Sequence, residues 1–280
     1  MSDIDIQGHR GARGLLPENS LPAFQLALEL GVRTLEMDTV ISKDERVVVS
    51  HDPWFSSDIC LQPDGSRIPE DNQDRFRLFD RTYDEIRSFD CGSIGNPRFP
   101  SQRPASVRKP LLEEVIHFAE SYAFKIGREA PHYNIETKST PEGDGVLHPD
   151  PETFARLLVR VLRKAGVVDR CIIQSFDPRT LRVVHEDEPS LRTALLVSAG
   201  QEGDLSAHVD TLGFTPTIYS PEKSLVTGQL VSICHADGIQ VIPWTVNETA
   251  EMLKLHALGV DGLITDYPDR AMALVENDWH

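Results

Sequence analysis

Apolar residues recur along this chain with two periods. Short runs of strand character alternate with stretches in which apolar side chains return every three or four positions. Strands are expected to begin near residues 4, 32, 47, 133, 171, 193, 216, 240 and 262. The helical stretches carry their own punctuation. Leu21, Phe24 and Leu28 form a stripe that Asn19 or Ser20 can cap and Gly31 can stop. Residues 111–123 read as helical. Asp150-Pro151 opens another helix, with Asp at the cap and Pro at the first position. Phe154, Leu157, Leu158, Val161 and Leu162 make its apolar face, and Gly166 ends it. Further helices are expected near 178–187, 204–212, 225–236 and 248–258.

From residue 110 onward strand and helix alternate almost strictly, the pattern of parallel strands joined by crossover helices. Nine strand candidates for eight barrel positions point to a TIM (β/α)8 barrel with one extra arm. Residues 47–51 follow their predecessor without a helix, so they read as a hairpin arm or an irregular unit. A doubly wound open sheet is the runner-up, but no GxGxxG loop follows the first strand. Residues 53–108 change character, with many Pro, Asp, Arg and Ser and few periodic apolar positions. They are too long for a plain loop. The expectation is a single barrel domain over 1–280, with 53–108 as a cap inserted after the second barrel strand region. Residues 139–150 read as a Pro/Gly/Asp-rich loop.

The length suits one barrel of this kind. The net charge of −16 argues against nucleic acid or an anionic membrane as the main partner. No stretch approaches ~18 apolar residues, so no membrane span is expected. The start, Met1-Ser2-Asp3-Ile4-Asp5, has neither a basic nor an apolar leader pattern. Cys60, Cys91, Cys171 and Cys234 lie far apart with no CxxC pair. They predict reduced thiols in a cytoplasmic protein, not a disulfide frame or a zinc site, with Cys171 and Cys234 in the core.

The chemistry-bearing residues close the apolar runs, and strand ends are where an α/β barrel keeps its chemistry. Glu36 and Asp38 are two apart on one strand and share a face, with Leu35 and Met37 on the other. Glu136 arrives on a later strand with Lys138 on its side. Three carboxylates meeting at one mouth would repel one another unless a cation sat between them, and an all-oxygen set favours Mg²⁺ or Ca²⁺ over zinc. The alternative is ion pairing with Arg10, Lys138 or Arg33. His9 and His51 each end an apolar run and precede a charged residue, as a neutral-pH acid and base would. Arg10 and Lys138 suit a phosphate, or charge balance for the carboxylates. Trp244 suits the floor of a substrate pocket, or core.

As an ordered set, these segments resemble the glycerophosphodiester phosphodiesterases. The resemblance rests on His9-Arg10-Gly11, Pro17-Glu18-Asn19-Ser20, Ala23-Phe24, Glu36-Met37-Asp38, Lys43-Asp44, Val48-Val49-Ser50-His51-Asp52 and Ile135-Glu136-Thr137-Lys138. Near the end it continues with Trp244-Thr245-Val246-Asn247 and Gly259-Val260-Asp261-Gly262-Leu263-Ile264-Thr265-Asp266-Tyr267-Pro268. Ser20 and Glu45 stand where the family usually has Thr and Gly. The resemblance implies one divalent cation, Mg²⁺ or Ca²⁺, on Glu36, Asp38 and Glu136. It implies His9 and His51 as the acid–base pair and Arg10 and Lys138 on the phosphate. The insert after the histidine-aspartate motif would cover the substrate. The expected reaction is hydrolysis of a glycerophosphodiester to an alcohol and glycerol 3-phosphate. Two alternatives are a phospholipase D-like enzyme acting on lysophospholipids or sphingolipids, and a non-catalytic barrel that binds metal and phosphodiester. Neither the headgroup nor the oligomeric state is readable from sequence.

Overall fold

The computed structural model describes residues 4–201 and 203–279. The leader reading of Met1-Ser2-Asp3 lies outside the described residues. Eight parallel strands form the barrel in the order β8-β7-β6-β5-β4-β2-β1-β9. They are β1 (Asp5–Gly8), β2 (Thr34–Ile41), β4 (His132–Thr137), β5 (Cys171–Ser175), β6 (Arg192–Val197), β7 (Ile218–Pro221), β8 (Gln240–Val241) and β9 (Gly262–Thr265). The remaining strand, β3 (Val47–Val49), pairs antiparallel with the end of β2, so it is a hairpin arm outside the barrel. The seam between β8 and β9 is held by single bonds, Asp261 N–H to Val241 O at 2.9 Å and Ile264 N–H to Pro243 O at 3.0 Å. The strand expected over 240–246 shortens to two residues. Pro243 has no N–H, and the segment after it bonds to both neighbours irregularly.

The helices follow the sequence pattern closely. Helix α1 (Leu21–Glu29) is capped by Ser20, whose Oγ accepts from Ala23 N–H. Helix α2 (Tyr83–Ile86) is a single turn in the insert. Helices α3 (Leu112–Lys125), α4 (Pro151–Ala165), α5 (Pro178–Asp187), α6 (Leu205–Leu212), α7 (Gly228–Ala236) and α8 (Thr249–Ala257) stand within a few residues of their expected bounds. A closing helix, α9 (Pro268–Glu276), had not been expected. In α4 Asp150 accepts from Thr153 N–H, and Gly166 takes the left-handed conformation that ends the helix.

Strand alternation sorts side chains into two cores. Leu35, Met37, Ile135, Ile173, Leu195, Tyr219 and Leu263 face outward against the helices. Ile172, Ala194, Ile218, Ile242 and Ile264 face inward and fill the lower barrel. This inner apolar layer makes the barrel a packed core with chemistry confined to one end.

Residues 53–108 have more core than their composition suggests. Phe55, Ile59, Ile68, Leu78, Tyr83, Ile86 and Phe89 pack on Val40, Val48 and Leu111. Their spacing shows no period because turns, not long helices or strands, bring them together. The same folding corrects the cysteine expectation. Cys60 and Cys91 form a disulfide across a separation of 31 residues. The chain doubles back so that Leu61 N–H donates to Asp90 O at 2.6 Å, which sets the two cysteines side by side. Disulfides persist in oxidising compartments, so this bridge removes the cysteine argument for a cytoplasmic location. Cys171 and Cys234 are free and buried, as expected. Among the described residues no helix is long and apolar enough to cross a membrane.

Candidate active site

The three acidic residues meet because of strand register. In the parallel β2–β4 ladder Asp38 stands opposite Glu136, with Glu36 two positions below on the same inward face. One carboxylate oxygen from each lies within 4.8 Å of the other two, and all three residues are buried. Beneath them runs a buried amide relay. Asn134 Nδ2 donates to Gln7 Oε1 at 2.7 Å and to Gln174 Oε1 at 3.0 Å. Gln174 Nε2 then donates to Glu36 Oε1 at 2.7 Å. The other oxygen of Glu36 accepts the Arg10 N–H at 2.8 Å. Arg10 reaches it because its backbone is left-handed, with φ of 50°. Gly11 follows with φ of 86°, and a Cβ there would sit 2.7 Å from the Ala23 backbone. Both the turn and the close approach therefore require glycine.

Charge balance in this cluster is uneven. Burial and the Asp38 charge push Glu36 well above the usual carboxylate range. Burial also raises Glu136, with Lys138 opposing and Asp38 adding to the rise. Burial would raise Asp38 as well, but Arg10, His51 and Lys138 outweigh it and hold Asp38 well below its ordinary value. Arg10 Nε lies 3.0 Å from Asp38 Oδ2, and Lys138 Nζ lies 2.8 Å from Glu136 Oε1 and 3.8 Å from Asp38 Oδ1. The ion pairs weighed as the alternative to a metal are thus present for Arg10 and Lys138. Among the described residues no side-chain ion pair reaches Glu36, which feels the Arg10 charge only at longer range. A hard oxygen donor set of this size, strained toward protonation by its own repulsion, fits a divalent cation.

Each histidine is backed by an aspartate. His9 follows β1, and its Nδ1 is 2.6 Å from Asp266 Oδ1 at the end of β9. Asn247 Nδ2 holds the other Asp266 oxygen at 2.8 Å. Burial lowers the His9 pKa below its ordinary value although Asp266 opposes it. Burial also disfavours the Asp266 charge, yet His9, Arg13 and Asn247 hold its pKa at about 2. His51 follows β3, with Nδ1 2.7 Å from Asp52 Oδ1. In both cases the aspartate engages Nδ1 and, among the described residues, no hydrogen bond occupies Nε2, as when an aspartate fixes a catalytic imidazole.

Arg10 is buried, and its guanidinium is engaged by Glu18 Oε1 at 2.7 Å as well as by Asp38. Glu18 also takes Arg13 at 2.8 Å, and both arginines hold Glu18 well below the carboxylate range against its burial. Asn19 Nδ2 donates to Asp38 Oδ2 at 2.9 Å. Trp244 lies beyond β8 on the same end of the barrel. Its Nε1 donates to Ser220 O at 2.9 Å, and its ring meets Phe176 edge-on at 5.5 Å between centroids. Its inner side rests on the isoleucine layer. Asp52, Asp266, Glu18 and Asn19 all lie in segments singled out from the sequence, yet sequence reasoning gave them no chemical role. Adjacency to His51 was the available signal for Asp52. Asp266 offered only its place after the last strand, and Gln174 offered none.

Fold and site together define a TIM-barrel enzyme with an acidic cluster and two carboxylate-backed imidazoles at the carboxyl end of its strands. Residues 9–270 match the model of the Glycerophosphoryl diester phosphodiesterase family, and the chain belongs to that family. A glycerophosphodiester phosphodiesterase from Caldanaerobacter subterraneus is 29% identical over 272 residues, covering 96% of this chain and 97% of that protein. A Silicibacter pomeroyi crystal structure, assigned to the glycerophosphoryl diester phosphodiesterases, superposes with a TM-score of 0.87 at 29% identity, covering 99% of this chain and 94% of that one. An Oleispira antarctica phosphodiesterase, solved in complex with the product sn-glycerol-3-phosphate, shares the fold at a TM-score of 0.76 and 23% identity, covering 97% and 96%.

Proposed function

We propose that this protein is a metal-dependent hydrolase that cleaves glycerophosphodiesters to an alcohol and sn-glycerol 3-phosphate. The observation that carries the reading is the buried Glu36–Asp38–Glu136 cluster, whose Asp38 feels the charge of two imidazoles, each backed by its own aspartate. Family membership and the product held by the Oleispira relative support the substrate class. Glu36, Asp38 and Glu136 would hold one Mg²⁺ or Ca²⁺ ion. When bound, that ion supplies Lewis-acid charge at the phosphoryl oxygens.

The chain's own groups do the rest. Arg10 and Lys138, fixed by carboxylates, present positive charge where the non-bridging oxygens gain negative charge. One histidine takes the proton of the nucleophile at its Nε2: water, which gives glycerol 3-phosphate directly, or the substrate's glycerol hydroxyl, which gives a cyclic phosphate that a water then opens. The other gives its Nε2 proton to the departing alkoxide. Asp266 and Asp52 hold each ring in the tautomer that exposes Nε2. Two such transfers are worth ~10²–10⁴-fold each. Trp244 and Phe176 offer an aromatic wall to the substrate. The 53–108 segment is a cap whose Ile59 and Cys91 line one pocket with the half-buried His51.

The test is glycerol 3-phosphate release from glycerophosphocholine and glycerophosphoethanolamine by metal-stripped protein, with Mg²⁺ or Ca²⁺ restored and Glu36→Ala as control. Metal-restored turnover that the variant lacks supports the reading. Turnover of lysophosphatidylcholine alone would replace it with the lysophospholipid reading, and cation binding without turnover of any substrate would make the barrel a binding protein.

A further inference from the structure

The inserted segment is followed at once by a charged side chain that the chemistry above leaves unused. Lys109 is only 8% exposed although it carries an amine. Its Nζ donates to Ser50 Oγ at 2.8 Å and lies 5.8 Å from the centre of the Phe55 ring. Among the described residues no carboxylate forms an ion pair with it. Burial disfavours the Lys109 charge, and the Asp52, Glu18 and Asp38 carboxylates support it from beyond ion-pairing distance. Those carboxylates only partly offset the cost of burying the ammonium.

The hydrogen bonds that continue from Lys109 reach the backbone of Asp52, whose side chain holds His51. Ser50 Oγ donates onward to the Asp52 carbonyl oxygen at 2.7 Å, closing the turn that carries His51. Asp52 Oδ1 then engages His51 Nδ1 at 2.7 Å. The same turn is anchored by Ser50 N–H on Asp38 O at 3.0 Å and by Val49 N–H on Pro110 O at 2.8 Å, next to Lys109 in the chain. On the insert side, Tyr83 Oη donates to Glu114 Oε2 at 2.7 Å and stands 3.3 Å from the Lys109 carbonyl oxygen.

We propose that Lys109 is a positioning residue. Through Ser50 it locks the 50–52 turn, so that Asp52 holds the His51 ring in one orientation, and it thereby ties catalytic geometry to the seating of the inserted segment. The inference rests on His51 being a proton-transfer residue, and it assigns Lys109 no contact with substrate.

The test compares wild type with Lys109→Met, Lys109→Arg and Ser50→Ala. Two readouts are used: steady-state kinetics on glycerophosphocholine, and the downfield imidazole N–H resonance of His51 in metal-free protein, assigned by its loss in His51→Gln. Lys109→Met is expected to lower kcat about tenfold or more, the size of effect seen when a group supporting a catalytic residue is removed. KM should stay within about threefold of wild type, since no ground-state binding contact is lost. Lys109→Arg should recover most of the kcat. Ser50→Ala keeps the charge and breaks the relay, so it should reproduce the kcat loss if Lys109→Met fails to fold. The His51 resonance should broaden or vanish in Lys109→Met and Ser50→Ala.

A rise in KM with kcat intact would overturn the proposal in favour of substrate contact. An unchanged His51 resonance in both variants would overturn it as well. The resonance needs no turnover, so inactivity of the wild type toward glycerophosphodiesters would refute the proposed function and leave this comparison decisive on its own.

Discussion

His9 and Asp266 lie 257 residues apart in sequence and 2.6 Å apart in space, Nδ1 to Oδ1. The contact forms because β1 and β9 are neighbours in the barrel, with Gly8 opposite Thr265, so the residues that follow each strand emerge side by side. Barrel closure, not local sequence, gives this histidine its aspartate.

Asp266→Asn should therefore damage catalysis while leaving substrate binding nearly intact. An amide can present the wrong hydrogen-bonding partner to Nδ1 and no longer stabilises the imidazolium. The expected loss in kcat is about 10²–10⁴-fold, by analogy with aspartates that orient catalytic histidines. Steady-state kinetics at fixed metal concentration would check it, and a kcat within a few-fold of wild type would refute it.

The same aspartate should shape acid stability. Its folded pKa of about 2 lies below the ordinary 3.8. Below pH 3.8 the unfolded chain takes up a proton that the folded chain refuses. The stabilisation is thus fully present above pH 3.8 and is lost as pH falls through about 2. Its size is about 2 kcal/mol, at about 1.36 kcal/mol for each pKa unit. Denaturant unfolding between pH 5 and pH 2, to be run at roughly half-unit steps, should show a shallower acid limb for Asp266→Asn than for wild type. Superimposable limbs would rule the linkage out.

Cation binding should raise the melting temperature of metal-stripped protein. Free ion at a hundred times its Kd adds about 2.7 kcal/mol to a protein that binds it only when folded. Asp38→Asn and Glu136→Gln should each weaken this response in calorimetric titrations with Mg²⁺ and Ca²⁺. A wild-type protein with no thermal response to either ion would contradict the proposed metal centre.

Reduction of Cys60–Cys91 should loosen residues 53–108 before the barrel. The bridge closes a loop of about 31 residues, which is worth about 3–4 kcal/mol in a chain-entropy account. Limited proteolysis under reducing conditions, or of Cys60→Ser, should cut first within 53–108. Cleavage starting elsewhere, or no change in rate, would show that the local apolar core holds the segment without the bridge.

Much of this protein was determined by sequence alone because the governing physics is local. Leu21, Phe24 and Leu28 repeat at helical spacing beside a capping Ser20, and α1 forms there. Asp150-Pro151 and Gly166 bracket α4 for the same reason. The period of two along β2 sends Glu36 and Asp38 to one face and Leu35 and Met37 to the other, whatever surrounds the strand. The regular alternation after residue 110 leaves few topologies other than a parallel barrel.

Tertiary structure decided what depends on contacts between distant segments. Register between β2 and β4 sets Asp38 opposite Glu136. Closure of the barrel brings Asp266 to His9, and the inner layer supplies Gln174 to Glu36. Folding of 53–108 joins Cys60 to Cys91 and delivers Lys109 to Ser50, although nothing periodic marks that segment. A local pattern fixes which way a side chain points along its own element. Only the packed chain fixes what it meets, because each of these partners arrives from an element whose position is set by the whole barrel.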